Sequence, residues 1–157
     1  MKHIKNLKIV ITAGASGIGS KIAQILSQAD AKVVICDKDQ EVLDQFSKNN
    51  PEVITLKADV SNEEEVTSFF NEIKDHFGEI NSLINNAGIA GPSAKLEDTN
   101  FDDWKNTLSV NLNGTFLCTK SAIPLLRSAG GGSIINIGST SSFMGTPLRS
   151  SYSATKW

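Results

Sequence analysis

Thr12-Ala13-Gly14-Ala15-Ser16-Gly17-Ile18-Gly19 is the stretch on which the reading of the fold turns. The residues before it, 7–12, are apolar and β-rich; after it Ile18, Ile22, Ile25, Leu26 and Ala29 recur at helical spacing. A glycine-rich link between a strand and a helix lets backbone amides approach a pyrophosphate, and the helix N-terminus adds partial positive charge. A plain strand-to-helix turn is the simpler alternative. Three glycines placed after the first strand of an alternating pattern favour the phosphate site. Two other phosphate loops fail on spacing. A Walker loop needs Lys at position 20, where Ser20 stands and Lys21 comes one place late. A Gly-x-Gly-x-x-Gly fingerprint needs glycine at position 22, which is Ile22.

Working outward, apolar strands alternate with helical patterns. Residues 32–36 read as a second strand, 40–49 as a helix ending before Pro51, and 53–56 as a third strand. Ser61 with Glu64 predicts a capping box opening a helix whose stripe is Val66, Phe69, Phe70, Ile73 and Phe77 and whose stop is Gly78. Residues 82–84 form a fourth strand, 102–126 a single long helix, 133–137 a fifth strand, and a last helix begins near Ser151. Strands separated by helices imply parallel pairing through right-handed crossovers, and near-continuous apolar strands imply a sheet covered on both faces. The fold class is α/β: a doubly wound, Rossmann-like parallel sheet in three α/β/α layers, one domain over residues 1–157.

Bulk composition narrows the function. A net charge of −2, with 15 basic residues scattered along 157, leaves no footprint for nucleic acid or an anionic membrane. The basic start Met1-Lys2-His3-Ile4-Lys5 leads only into the short run Ile9-Val10-Ile11, which reads as a buried strand and not a signal or a span. Two separated cysteines, Cys36 and Cys118, suit a reducing compartment, and the expected location is the cytoplasm. His3 and His76 read as surface residues, and no His/Cys/Asp cluster suggests a metal.

The remaining motifs fall at strand ends, where ligands of open α/β sheets bind. Asp37 closes strand two, 18 residues after Gly19, where a carboxylate accepts the ribose hydroxyls of NAD and repels a 2′-phosphate; Lys38 follows it, and NAD is favoured over NADP. Tyr152 and Lys156 lie four apart, on one face of a helix. A free phenol has a pKa of about 10, and a cation within roughly 4–6 Å lowers such a value by about 1–3. Ser139 stands 13 residues before Tyr152, placed to donate to a substrate oxygen. Ser141, Ser142 and Asn113 read as bystanders.

Together these segments resemble the short-chain dehydrogenase/reductase family over essentially the whole chain. The loop is similar to that family's Thr-Gly-x-x-x-Gly-x-Gly, with Ala13 replacing its first glycine; a Cβ there strains the turn, and Gly14 is the neighbour expected to absorb it. Asn85-Asn86-Ala87-Gly88 matches the family's Asn-Asn-Ala-Gly segment in full, and Asp59-Val60 resembles its adenine-binding pair. The resemblance implies a catalytic tetrad of Asn111, Ser139, Tyr152 and Lys156. It implies cofactor contacts from Gly14, Ser16, Gly17, Ile18, Gly19, Asp37, Asp59, Val60, Asn86, Ala87, Gly88, Tyr152 and Lys156. The implied reaction passes hydride between NAD(H) and a secondary alcohol or ketone, with no metal.

Members of that family run to about 250 residues, whereas Lys156 is the penultimate residue here. The expectation is a fold incomplete at its C-terminus, weakly active by itself, with strand five an unprotected edge. Gly91-Pro92-Ser93 and residues 143–149 would line one side of a substrate pocket of mixed polarity. The competing reading is a non-catalytic NAD-binding fragment or pseudoenzyme. A third, an interaction scaffold, rests on the long helix, which in the family forms half of a homo-oligomer contact.

Overall fold

A computed structural model describes residues 4–157, so the reading of His3 lies outside the described residues. The strands are β1 (Lys8–Thr12), β2 (Lys32–Asp37), β3 (Ile54–Lys57), β4 (Ser82–Asn85) and β5 (Ser133–Asn136). They alternate with α1 (Gly17–Gln28), α2 (Gln40–Asn49), α3 (Glu63–Phe77), α4 (Phe101–Leu108), α5 (Gly114–Ser128) and α6 (Ser150–Lys156). The sheet is parallel throughout, in the order β3-β2-β1-β4-β5, with Val10 level with Val34 on one side and Leu83 on the other. Strand order runs outward from β1 in both directions, which makes the carboxyl ends of β1 and β4 the switch point where a ligand cleft opens.

The pleat sends Ile9 and Ile11 to one face and Val10 to the other. On the first face Ile9, Ile11, Val33, Ile35 and Ile84 pack with Ala23 of α1 and with Leu43 and Phe46 of α2. On the second, Val10, Val34 and Leu83 pack with Phe69, Phe70 and Ile73 of α3 and with Cys118, Ala122 and Leu125 of α5. Phe69 is 1% exposed, and burial of a side chain of this size contributes about 1.5–3 kcal/mol. This is the expected three-layer α/β/α arrangement. Coverage on both faces does not extend to β5, an edge strand where Ile134 and Ile135 are 37% and 46% exposed.

Two elements depart from expectation. α3 is capped by Asn62, not Ser61: the Asn62 side chain accepts from the amides of Glu64 and Glu65. Ser61 is taken by Asp59, whose Oδ1 accepts from both its amide (2.9 Å) and its hydroxyl (2.7 Å), and Glu65 rather than Glu64 reaches back, to the Asp59 amide. The stop is as expected, with Gly78 left-handed at φ 71°. The single helix over 102–126 is instead α4 and α5 joined by a π-helical turn, Ser109–Asn113. The extra residue turns Asn111 inward, where it is 5% exposed, while Asn113 stays at the surface. π-bulges inside α-helices commonly mark functional positions.

Candidate active site

The glycine loop is bound to both of its neighbours. Gly14 donates its amide to the Cys36 carbonyl of β2 (2.9 Å). Thr12, almost fully buried, accepts through Oγ1 from the amides of Asn86 and Ala87, each at 3.0 Å. The Asn86 side chain donates to the carbonyls of Thr12 (3.0 Å) and Ala13 (2.9 Å). A Cβ on Gly19 would lie 2.4 Å from the Ala13 oxygen and 2.5 Å from Asn86 Nδ2, so only glycine lets α1 start this close to the loop. Gly17 takes φ +53° at the first turn of α1, and Ser16, at the N-cap, makes no capping hydrogen bond of its own. The first amides of α1 therefore have no capping side chain, and such uncapped helix starts are where phosphate groups bind.

Ala13 itself carries the strain. It sits at φ +48°, and Gly14 is not among the glycines with positive φ, so the expectation that Gly14 absorbs the turn is corrected. A left-handed alanine costs about 1–2 kcal/mol. Ala13→Gly is therefore expected to raise Tm by about 2–4 °C, read by thermal unfolding; an unchanged or lowered Tm contradicts the assignment of strain.

Beside the loop lies a cleft of about 180 Å³ lined by Ser16, Asp37, Asp59, Val60, Ala87 and Gly88, together with Ala13, Lys38, Ala58, Ile89 and Val110. Six of the residues expected to hold cofactor thus share one wall. Gly14, Gly17, Ile18 and Gly19 form the adjoining loop and helix start, and Ile18 is 65% exposed. Asn86 does not line the cleft; its amide fixes the loop. Asp59 lends one carboxylate oxygen to Ser61, and Asp37 accepts from the Asp39 amide at 3.3 Å.

Beside this cleft the side chains of Tyr152, Lys156 and Asn111 come near one another. Lys156 Nζ lies 5.9 Å from the centroid of the Tyr152 ring and donates to the Ile137 carbonyl at 2.7 Å, so the two side chains share a face of α6. A Cβ on Gly88 would lie 3.6 Å from Lys156 Nζ and 3.5 Å from Asn111 Oδ1, which places both beside a residue of the cofactor cleft. Asn111 clamps Ile89 from both sides, accepting its amide (2.8 Å) and donating to its carbonyl (2.9 Å), and donates also to Thr155 Oγ1 (3.0 Å). Thr155 in turn donates to the Tyr152 carbonyl (2.8 Å). Ser139, two residues past Ile137, caps a short 3₁₀ turn, Thr140–Ser142, in which its Oγ accepts from the Ser141 amide and Ser142 Oγ accepts from the Ser139 amide. Ser141 is buried against Thr146 and Ser142 completes this turn, so both shape the loop.

The sequence reading gave no role to Thr12 as the tie between β1 and β4 or to Thr155, and it placed Arg149 only among the residues 143–149 of a pocket wall, not as a tie to the Gly91 loop. Thr12 and Thr155 carry a readable signal, a hydroxyl at a strand end and one inside the Tyr-Lys helix. Arg149 bonds only main-chain carbonyls, which no motif records. Both cysteines are buried and free. Burial pushes the Cys118 thiol up to about 12; burial, and then the nearby Cys118, pushes Cys36 up as well. Buried protonated thiols are inert. Among the described residues no helix is long and apolar enough to cross a membrane, and His76 is exposed.

A parallel sheet with a glycine loop and a carboxylate-lined cleft at its switch point defines a dinucleotide-binding α/β protein. The short chain dehydrogenase family model matches residues 7–157, and the chain belongs to that family. It is 39% identical over 160 residues to the uncharacterized oxidoreductase YxbG of Bacillus subtilis, covering 99% of this chain and 58% of the relative. It is 36% identical to the NADP-dependent (R)-specific alcohol dehydrogenase of Lentilactobacillus kefiri, covering 98% and 62%. Among solved structures, levodione reductase superposes with a TM-score of 0.91 at 31% identity, covering 98% of this chain and 62% of that one. NAD+-bound xylitol dehydrogenase gives 0.92 at 26%, covering 99% and 61%. The chain thus spans about three fifths of the length of these relatives.

Proposed function

We propose that this chain is the cofactor-binding and catalytic core, a single dinucleotide-binding unit, of an NAD-dependent oxidoreductase that interconverts a secondary alcohol and a ketone. The observation that carries the reading is the position of Lys156 Nζ, 5.9 Å from the Tyr152 ring and beside Gly88 of the dinucleotide cleft. It brings a phenol, an ammonium and the cofactor wall to one place. Relatives named as alcohol, L-fucose and 3beta-hydroxysteroid dehydrogenases support a hydroxyl-bearing substrate.

The residues present fit the dinucleotide. Gly14, Ser16, Gly17, Ile18 and Gly19 would hold its phosphates, Asp37 the adenosine ribose, Asp59 and Val60 the adenine, and Ala87, Gly88, Tyr152 and Lys156 the nicotinamide half. When bound, NAD supplies the hydride acceptor and donor. Tyr152 takes the hydroxyl proton of the alcohol and returns it to the ketone. Lys156, anchored on the Ile137 carbonyl, favours the phenolate electrostatically. Ser139 donates to the substrate oxygen as its charge changes. Asn111 shapes the helix around this centre and completes the proton path from Lys156. Asp37 favours NAD over NADP. Phe101 of α4, Leu112 of the π turn and Phe116 of α5, 69%, 50% and 63% exposed, are apolar surface for a second copy to cover in a homo-oligomer, and the two buried free thiols support a cytoplasmic location.

Steady-state NAD reduction with a panel of secondary alcohols, run beside a calorimetric NAD titration, tests the proposal. Binding with turnover is the expected result, the turnover by residues 1–157 alone being weak. Binding without turnover favours a non-catalytic NAD-binding protein, and the absence of binding contradicts the whole reading.

A further inference from the structure

Two loops border the catalytic helix, and they are stitched together by contacts the chemistry above does not use. One follows β4, residues 89–95; the other, residues 143–149, leads into α6. Arg149, at the N-cap of α6 and half-buried, makes no capping bond. Its Nη1 instead crosses to the first loop and donates to the Gly91 carbonyl at 2.7 Å and, more loosely, to the Ala90 carbonyl at 3.4 Å. One residue earlier, the Leu148 carbonyl accepts the Ala94 amide at 3.1 Å. Leu148 holds φ +60°, a conformation a bulky side chain adopts only when its surroundings fix it.

The far end of this clasp is equally confined. Gly91 has φ +64°, and a Cβ there would lie 2.5 Å from Thr107 Oγ1 of α4 and 2.9 Å from Ser151 Oγ of α6. The Gly91 turn is thus wedged between two helices, one of them carrying Tyr152. Immediately before it, Ile89 is held by Asn111. Among the described residues Arg149 takes part in none of the salt bridges. Its guanidinium is committed to main-chain carbonyls, where charge-assisted bonds are the strong ones.

Resting on the oxidoreductase reading above, we infer that Arg149 is a positioning residue: it locks the 89–95 wall of the substrate pocket to the start of the catalytic helix, so that wall and Tyr152 hold one spacing. Arg149 touches neither the cofactor cleft residues nor the phenol in its hydrogen bonds. Its effect should appear in the reacting geometry, where small displacements cost about a hundredfold in rate, and not in NAD affinity.

The test compares the full-length wild-type protein with Arg149→Met, which keeps the aliphatic stem and removes the donors. Three readings are taken: amide hydrogen exchange, NAD affinity by calorimetry, and kcat and KM for the best secondary alcohol. The expected result is faster exchange at Ala94 and through 150–156 with β1 and β2 unchanged, an unaltered NAD dissociation constant, and a kcat lower by about 10–100-fold. Should Arg149→Met fail to fold, Arg149→Lys, which keeps one donor, carries the same readings at smaller amplitude. Unchanged exchange at Ala94 overturns the clasp. So does a wild-type kcat, or exchange that quickens across the whole sheet in step with lost NAD affinity, which would mark general destabilisation. A wild-type protein that oxidises no alcohol defeats the oxidoreductase reading instead, and the exchange pattern still decides whether Arg149 joins the two loops.

Discussion

Replacing Asp37 with serine is expected to weaken NAD binding by about 10–100-fold while strengthening NADP binding, so that the preference between them shifts by about a hundredfold or more. Asp37 ends β2 and lines the cleft with Ser16 and Lys38. A carboxylate there accepts the ribose hydroxyls, and hydrogen bonds to a charged group contribute about 1.5–3 kcal/mol, with each 1.4 kcal/mol worth about tenfold in affinity. The same carboxylate repels a 2′-phosphate. Serine removes both effects and leaves Lys38 on the cleft wall. The affinities of the two cofactors, titrated against wild type and Asp37→Ser, check this. An unaltered ratio would show that Asp37 does not meet the ribose.

Much of the fold was legible because the apolar strands are short, nearly continuous and punctuated. β1 and β2 were readable from runs such as Ile9-Val10-Ile11 and Val33-Val34-Ile35, and their ends moved by one residue in the structure. The α2 boundaries coincide with the expected 40–49, since Asp39 caps the start and Asn50 interrupts the end before Pro51. Local pattern failed where a tertiary contact decided the outcome. Within residues 109–113 the signal was Asn111, a residue unfavourable inside a helix and one that bends the corresponding helix in the family; the structure adds that the bend is a π turn whose Asn111 side chain bonds both backbone groups of Ile89. The Ser61 cap failed because a neighbour, Asp59, competes for the same hydroxyl. Ala13 was recognisable as a departure from glycine, but the choice of which residue turns left-handed depends on the carbonyls that Asn86 holds.

The site was legible as an order of residue types along the chain. The structure adds distances: Lys156 to Tyr152, Asn111 and Lys156 to Gly88, and the sharing of one cleft by Asp37, Asp59 and Val60. Supports that act through main-chain atoms, such as Arg149 on the Gly91 carbonyl and Lys156 on the Ile137 carbonyl, were not legible, because a backbone carbonyl has no letter in the sequence.

Tyr152→Phe carries the second large effect. The substitution deletes one hydroxyl and keeps the ring over which Lys156 sits. It leaves the local fold intact, because Thr155 bonds the Tyr152 carbonyl and not the side chain. Tyr152 is the one tyrosine among these 157 residues. General acid-base transfer by a positioned side chain contributes about 10²–10⁴-fold, or about 3–5 kcal/mol of barrier. The measurement is therefore kcat for NAD reduction by wild type and Tyr152→Phe at saturating NAD, with the NAD dissociation constant of each determined in parallel. A kcat lower by about 10²–10⁴-fold, with NAD affinity nearly unchanged, is the predicted result. A Tyr152→Phe protein that turns over at the wild-type rate would contradict it.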